Sequence, residues 1–351
     1  MRVLAQTEHK VKLDIINQKL LYLLSINARF SYSTLAKQVK LSREAVKQRI
    51  QRLQEKQVIL GFQALIDSQK LGWSSYHLFA QLNNPCQEVE EKFTRQLIAD
   101  NSVNALIQYH GQFDFEASYL LKDLTELKDK IQELSGLRHY EIFFVLKSII
   151  SKTYPKCMFN FSFPEFKVSK EGSFHNDFKQ YKEQPKAFKP AGQSKLALDA
   201  INLELLKYLG AEAKLSAMYL SSKLKLSVDA VIYRIKKLIA AGIIKEFRPI
   251  INYGALGYSV YCVFFRFKNM TPEKEAKFKQ FVTQHKNFLW SVSCLGPFNN
   301  LSYLIIKDTL EFHQVIKEIR EEFHEVLDAY ESMLSFAEYK YSYFPKGILK
   351  R

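Results

Sequence analysis

A chain of 351 residues is too long for one ordinary compact core, and 47% hydrophobic with 25% charged residues is a folded rather than a disordered composition. The net charge of +15 points to a polyanionic partner, either nucleic acid or an anionic membrane surface. No apolar run approaches the roughly 20 residues that a bilayer requires, and MRVLAQTEHK lacks the apolar segment of a signal peptide, so a soluble cytoplasmic protein with no membrane partner is expected.

The charge is segmental. Residues 1–85 carry about 13 basic and 5 acidic side chains, 86–146 are acidic, and 147–257 are basic again by roughly +10. In chain order, Asp14 is an N-cap residue ahead of Ile16, Leu20, Leu21, Leu23 and Leu24 at helical spacing. Ser31 opens a short helix carrying Leu35, Ala36 and Val39, and Leu41–Ser42 makes a turn from which Ser42 caps a third helix. Three short helices with a tight turn before the last are the helix-turn-helix arrangement. On the third helix Val46, Ile50 and Leu53 form a buried stripe. Glu44, Lys47, Gln48, Gln51 and Arg52 face the other way, with Arg43 and Arg49 at the flanks. Amides there can read base edges and cations can grip phosphate or guanine. An ordinary solvated helix is the plainer alternative, but the turn and the segregated charge favour a DNA-binding face that begins at Ser42.

Val58 to Asp67 alternates like a strand pair and is expected to form the wing and the exit to the next domain. There follow a strand (74–82), a helix (86–100), a strand (104–110), a glycine turn (111–114), a strand (115–121), a helix (124–134) and a strand (139–149). That βαββαβ order is ferredoxin-like, and its open sheet face needs a cover, for which a second such domain is the usual solution. Cys157 to Lys195 is rich in Lys, Phe, Ser and Pro without periodicity and reads as a linker.

The chain then repeats itself. LDIINQKLLYLLSINARFSYSTLAKQVKLSREAVKQRIQRL, from Leu13, recurs from Leu198 as LDAINLELLKYLGAEAKLSAMYLSSKLKLSVDAVIYRIKKL. The match runs without a gap to Leu71–Gly72 and Leu256–Gly257, with over a third of positions identical. Gly111–Asp114 matches Gly296–Asn299, and Tyr154-Pro155-Lys156 matches Phe344-Pro345-Lys346 after a short insertion between Asp308 and Tyr330. The expected division is therefore 1–66 and 195–252 as winged helix-turn-helix units, 67–156 and 253–351 as ferredoxin-like domains, and 157–194 as linker. In the second copy Ser227 is the matching cap, but Ile232 and Tyr233 replace Lys47 and Gln48. Weaker DNA contact is expected there, mainly from Arg234, Lys236 and Lys237 to phosphate, with apolar contact to thymine methyls or to protein as the alternatives.

The run NARFSYSTLAKQVKLSREAVKQRIQRLQEKQVILGFQALIDSQKLG closely resembles the leucine-responsive/asparagine-responsive (Lrp/AsnC) regulators, and the resemblance covers each copy nearly end to end. It implies an α+β fold of two such units with their sheets packed face to face, forming an intrachain pseudo-dimer that presents two winged helices to double-stranded DNA. It also implies a small effector such as an amino acid, for which Gly111, Asp114, Gly296 and Asn299 at the glycine turns are the candidates, and further homo-oligomerisation. Tight-turn geometry is the simpler account of the two glycines, and the change from Asp114 to Asn299 means that two pockets there could not be identical. A second family on this fold, the siroheme decarboxylases, is the enzyme alternative. Against it, His110 is the only histidine in the two segments where a His- and Asn-rich stretch is expected, and no HExxH, P-loop or GxSxG is present. Cys86, Cys157, Cys262 and Cys294 lack metal-ligand spacing. Neither a cofactor, a metal nor a catalytic residue is expected.

Overall fold

The computed structural model describes residues 2–5, 10–159 and 198–344; most of the expected linker and the Pro345–Lys346 end of the repeat lie outside the described residues. The first copy runs α1 (Ile15–Ile26), α2 (Tyr32–Val39), α3 (Arg43–Glu55), β2 (Ile59–Ile66), β3 (Ser74–Leu82), α4 (Gln87–Ala99), β4 (Val103–His110), β5 (Phe115–Leu121), α5 (Leu124–Gln132) and β6 (Leu137–Ser151), preceded by the two-residue strand β1 (Arg2–Val3). The second runs α6 (Ala200–Ala211), α7 (Ala217–Leu224), α8 (Val228–Ala240), β7 (Ile244–Ile251), β8 (Ser259–Phe267), α9 (Pro272–Gln284), β9 (Phe288–Leu295), β10 (Asn300–Ile306), α10 (Thr309–Phe323) and β11 (Leu327–Tyr341). The inserted residues lengthen the last helix, which has 15 residues in α10 against 9 in α5.

The first three helices of each copy start where an acceptor side chain meets orphan amides. Asp14, Ser31 and Ser42 accept from Asn17, Thr34 and Ala45, and Asp199, Ser216 and Ser227 repeat the pattern. The turn before the third helix uses a left-handed lysine in both copies, Lys40 (φ 55°) and Lys225 (φ 54°).

The expected wing is corrected by the structure. Val58 to Asp67 is not a strand pair; it holds the single strand β2, whose antiparallel partner is β7 of the other copy. The middle of this ribbon is held symmetrically from both copies: the Ala28 amide donates to the Phe247 carbonyl at 2.9 Å and the Ala213 amide to the Phe62 carbonyl at 2.8 Å. The two helix-turn-helix units therefore share one core that runs through the ribbon.

The ferredoxin-like sheets do face each other, and they are also joined at both edges. Each half orders its strands β4-β5-β3-β6 or β9-β10-β8-β11, and the long last strand of each half serves both. Leu137–Phe144 of β6 pairs with β3 and Phe144–Ser151 with β9, while Leu327–Ser335 of β11 pairs with β8 and Leu334–Tyr341 with β4. Bulges at these junctions bend both strands across the seam. The result is a closed, eight-stranded antiparallel barrel with helices outside, so neither sheet keeps an open edge of the kind that invites aggregation. Its interior is packed by rings from both halves, with Phe79 and Phe143 4.9 and 5.1 Å from Phe264.

Candidate nucleic-acid interface

α3 buries Val46, Ile50 and Leu53 and turns the opposite side to solvent, as the periodicity of those residues requires. Ser42, Arg43, Glu44, Lys47, Gln48, Gln51 and Arg52 are all exposed. Two are lightly braced along the helix, Lys47 by Glu44 at 3.7 Å and Gln51 by Glu55 at 3.0 Å. Such exposed pairs exchange readily for other partners. The Ser42 hydroxyl accepts from the Ala45 amide at 3.1 Å, leaving other first-turn amides directed outward with the positive end of the helix dipole. Lys37, Lys40 and Lys56 extend the exposed positive surface on either side.

Arg49 stands apart from this set. Its guanidinium donates to Asp14 at 2.6 Å and to Asn17 at 3.1 Å, tying α3 to the N-terminus of α1. Burial works against the Asp14 charge, but the Asn17 amide and Arg49 outweigh it and hold the carboxyl below its ordinary range. Arg234 repeats the clamp on Asp199 at 2.7 Å and Asn202 at 2.9 Å, with the same downward effect on Asp199. Both arginines, expected at the DNA-binding face, are thus engaged internally, each on the capping aspartate of the helix behind it. The helical wheel placed Arg49 at the edge of the face, and position alone could not show that a capping aspartate lay within reach.

The second copy departs further than its sequence suggested. Ile232 is only 6% exposed, so contact of its side chain with thymine methyls is ruled out by burial. Tyr233 is 57% exposed, and Met218 and Tyr219 on α7 join it where the first copy has Gln48, Ser33 and Thr34. Ser227, Lys236 and Lys237 are exposed. The α8 face is therefore more apolar and less cationic than the α3 face.

At the glycine turns the side chains are engaged internally. Asp114 accepts from the Leu82 amide at 2.7 Å, and Asn299 both accepts from the Phe267 amide at 2.9 Å and donates to its carbonyl at 2.7 Å. A Cβ on Gly111 (φ +153°) would meet the Met333 side chain at 2.9 Å, and one on Gly296 would meet the Ile142 carbonyl oxygen and the Phe143 ring at 2.9 Å each. Both glycines thus admit the last strand of the opposite half. These contacts account for the residue types at all four positions without a ligand.

The strands also gather polar residues that the sequence analysis passed over. Glu116, 1% exposed, accepts from His77 Nδ1 at 2.5 Å, from Tyr303 at 2.5 Å and from Tyr109. Burial and then Glu116 push both tyrosine hydroxyls well above their ordinary range. The signal was present as polar residues at inward-facing strand positions, between Phe79 on one strand and Leu120 on another.

Among the described residues no helix is long and apolar enough to cross a membrane, and no cluster of metal-ligating residues occurs. A family model described as the AsnC-type helix-turn-helix domain matches residues 13–54, and one for winged helix-turn-helix DNA-binding matches 198–245. The HTH-type transcriptional regulator Ptr1 of Methanocaldococcus jannaschii is 31% identical over 140 residues, which are 39% of this chain and 93% of that protein. The leucine-responsive regulatory protein of Rhizobium meliloti is 26% identical over 152 residues, 42% of this chain and 94% of that one. The crystal structure of the siroheme decarboxylase NirDL covers 93% of this chain and 92% of its own at a TM-score of 0.57, with 13% identity, which is a likeness of fold alone.

Proposed function

The chain belongs to the Lrp/AsnC family of helix-turn-helix transcription regulators, and from that premise we propose that it binds double-stranded DNA as a pseudo-dimer within one polypeptide, in the cytoplasm and without catalysing a reaction. The observation that carries this reading is the solvent-facing side of α3, where Arg43, Lys47, Gln48, Gln51 and Arg52 lie together on a helix fixed from behind by the Arg49 clamp. Arg and Gln in that setting suit base edges in the major groove, and Lys suits phosphate. The α8 face, with Lys236, Lys237 and the exposed Tyr233, contributes mainly phosphate contact. The two half-sites it reads are then unlike, in contrast to the palindrome of an exact dimer.

Fluorescence anisotropy of the full chain on fragments of its own genome, titrated with salt, tests this. Engagement of both heads with about eight phosphates gives a slope of log affinity on log salt near −7, and engagement of α3 alone roughly half that. Arg43→Ala or Lys47→Ala should cost roughly 1–3 kcal/mol on a preferred sequence where the side chain reads a base, and weaken all sequences alike where it touches only phosphate. Binding no better than nonspecific at low salt overturns the reading.

A further inference from the structure

The second head lacks the side chains that tell one base pair from another. Where α3 carries Arg43, Lys47 and Gln48, α8 carries Val228, Ile232 and Tyr233, and Ile232 is buried. None of the three replacements can make the bidentate contacts that distinguish base edges in the major groove. The positive charge nevertheless stays. Residues 216–240 hold five basic side chains against one acidic residue, Asp229. Arg234 is engaged by its internal clamp, and Lys223, Lys225, Lys236 and Lys237 are exposed.

What α7 and α8 have gained is a ring with a cation one helical turn further on, and each helix has its own. Tyr219 is 43% exposed, and the ammonium of Lys223, four residues on, lies 5.5 Å from its ring centroid. Tyr208 meets that ring edge to face at 6.5 Å and steadies it. Tyr233 is 57% exposed, with the exposed Lys236 and Lys237 three and four residues on. Residues at those spacings are neighbours on a helix surface. The first copy has neither arrangement, since Thr34 with Gln38, and Gln48 with Gln51 and Arg52, stand at the matching positions. Met218, 73% exposed, widens the apolar surface beside Tyr219.

A duplex offers edges and phosphates, because the flat face of each base is covered by its neighbours. An exposed ring beside a cation suits a nucleotide whose face is open, with the base on the ring and the phosphate on the ammonium. A protein partner would also cover the tyrosines, but protein interfaces are depleted in lysine, whereas the lysines here accompany each ring and match a polyanion.

We propose that the second head binds unpaired nucleotides of a single-stranded nucleic acid, which stack on Tyr219 and Tyr233 while Lys223, Lys236 and Lys237 hold the adjoining phosphates. The chain then grips a duplex with one head and an open strand with the other. That pairing of tasks rests on duplex binding by α3; stacking on α7 and α8 does not.

Fluorescence anisotropy of the full chain tests the proposal on three labelled probes: an oligothymidylate of about 20 nucleotides, the matching oligouridylate, and a preferred duplex of similar length. Tyr219→Ala and Tyr233→Ala should each weaken single-strand binding about tenfold or more and leave duplex binding nearly unchanged. Tyr233→Phe, which keeps the ring, should bind the single strand as the wild type does. Arg43→Ala should do the reverse of the alanine variants, weakening the duplex and sparing the single strand. The stronger of the two oligonucleotides identifies the strand as DNA or RNA. Single-strand affinity that survives both alanine substitutions, or that falls in step with duplex affinity, overturns the proposal, and the first of these results leaves the face to a protein partner. A chain that binds duplex but no single strand overturns this inference alone, and one that binds a single strand through its tyrosines but no duplex overturns the proposed function alone.

Discussion

Arg49 and Arg234 occupy positions where a helical wheel allows a cation to point at DNA, yet each closes an ion pair onto the cap of the helix behind it. Both pairs are partly exposed, so each is worth roughly 0–1 kcal/mol. Arg49→Ala should lower the thermal midpoint slightly and reduce DNA affinity for all sequences together, without a change of preference, as a competition assay against variant sites would register. The pH dependence follows from Asp14 and Asp199. Their folded pKa values lie below the unfolded value near 3.9, so the clamps contribute stability above that pH and lose it as pH falls through the folded values. The Asp14→Asn, Asp199→Asn double variant should lack this acid-sensitive part in a melting series below about pH 4. Lys152 acts with the same sign at the alkaline end of the range. Burial, then Lys156, lowers its pKa to about 8. The unfolded chain holds that proton up to about pH 10.4, so stability from this group rises between pH 8 and 10. The midpoint difference between the wild type and Lys152→Met should narrow over that window. At the glycines both alanine substitutions should be damaging, Gly296→Ala because a backbone oxygen and a ring obstruct it, and Gly111→Ala because it meets the inner atoms of the Met333 side chain at a φ of +153° that L side chains rarely adopt. Roughly 1–3 kcal/mol is the usual cost of such overpacking, and chemical denaturation of the two variants would rank them.

At the level of elements, local chemistry was legible and partnership was not. Asp14, Ser31 and Ser42 announce three helix starts because capping is decided within four residues, and all three hold. The strands around the glycine turns also lie within two residues of where alternation places them. The wing failed because alternation says that a segment is extended and half-buried but not which strand lies beside it. β2 finds its partner about 185 residues away. Ile232 failed for a related reason: its wheel position matches the exposed Lys47, and only tertiary packing buries it. The ribbon carries its own expectation. A proline in place of Leu65, which opposes Glu246, removes a ladder amide and should unlock the two heads. Hydrogen exchange would show this as lost protection at Ala28 and Ala213, far from the substitution in sequence but held by the same ribbon.

For the molecule as a whole, the barrel and the ribbon make the two copies mutually dependent. Each half borrows strand pairing from the other at three places, β6 with β9, β11 with β4 and β2 with β7. Cutting the chain once within 160–197 should therefore leave both fragments associated, and sedimentation of the nicked protein should give the mass of the intact chain. Separation into two species at micromolar concentration would contradict this architecture. The duplication itself was plain from the sequence, as was the need to cover a sheet face. Closure into a barrel was not, because it depends on the length and bend of two strands whose second halves look like ordinary strand ends.

The buried carboxylate of Glu116 has a sequel in the history of such a chain. Its counterparts in the second copy are Leu301, with Cys262 and Cys294 in place of His77 and Tyr109. In an assembly of two identical subunits every inward-facing mutation is inherited twice, and an acid near the axis must tolerate its own twin across it. Joining the genes end to end lifts that rule. A residue can then be tried once, on one wall only, while the facing wall stays greasy, and selection can shape a lopsided interior that no self-paired ancestor could have explored.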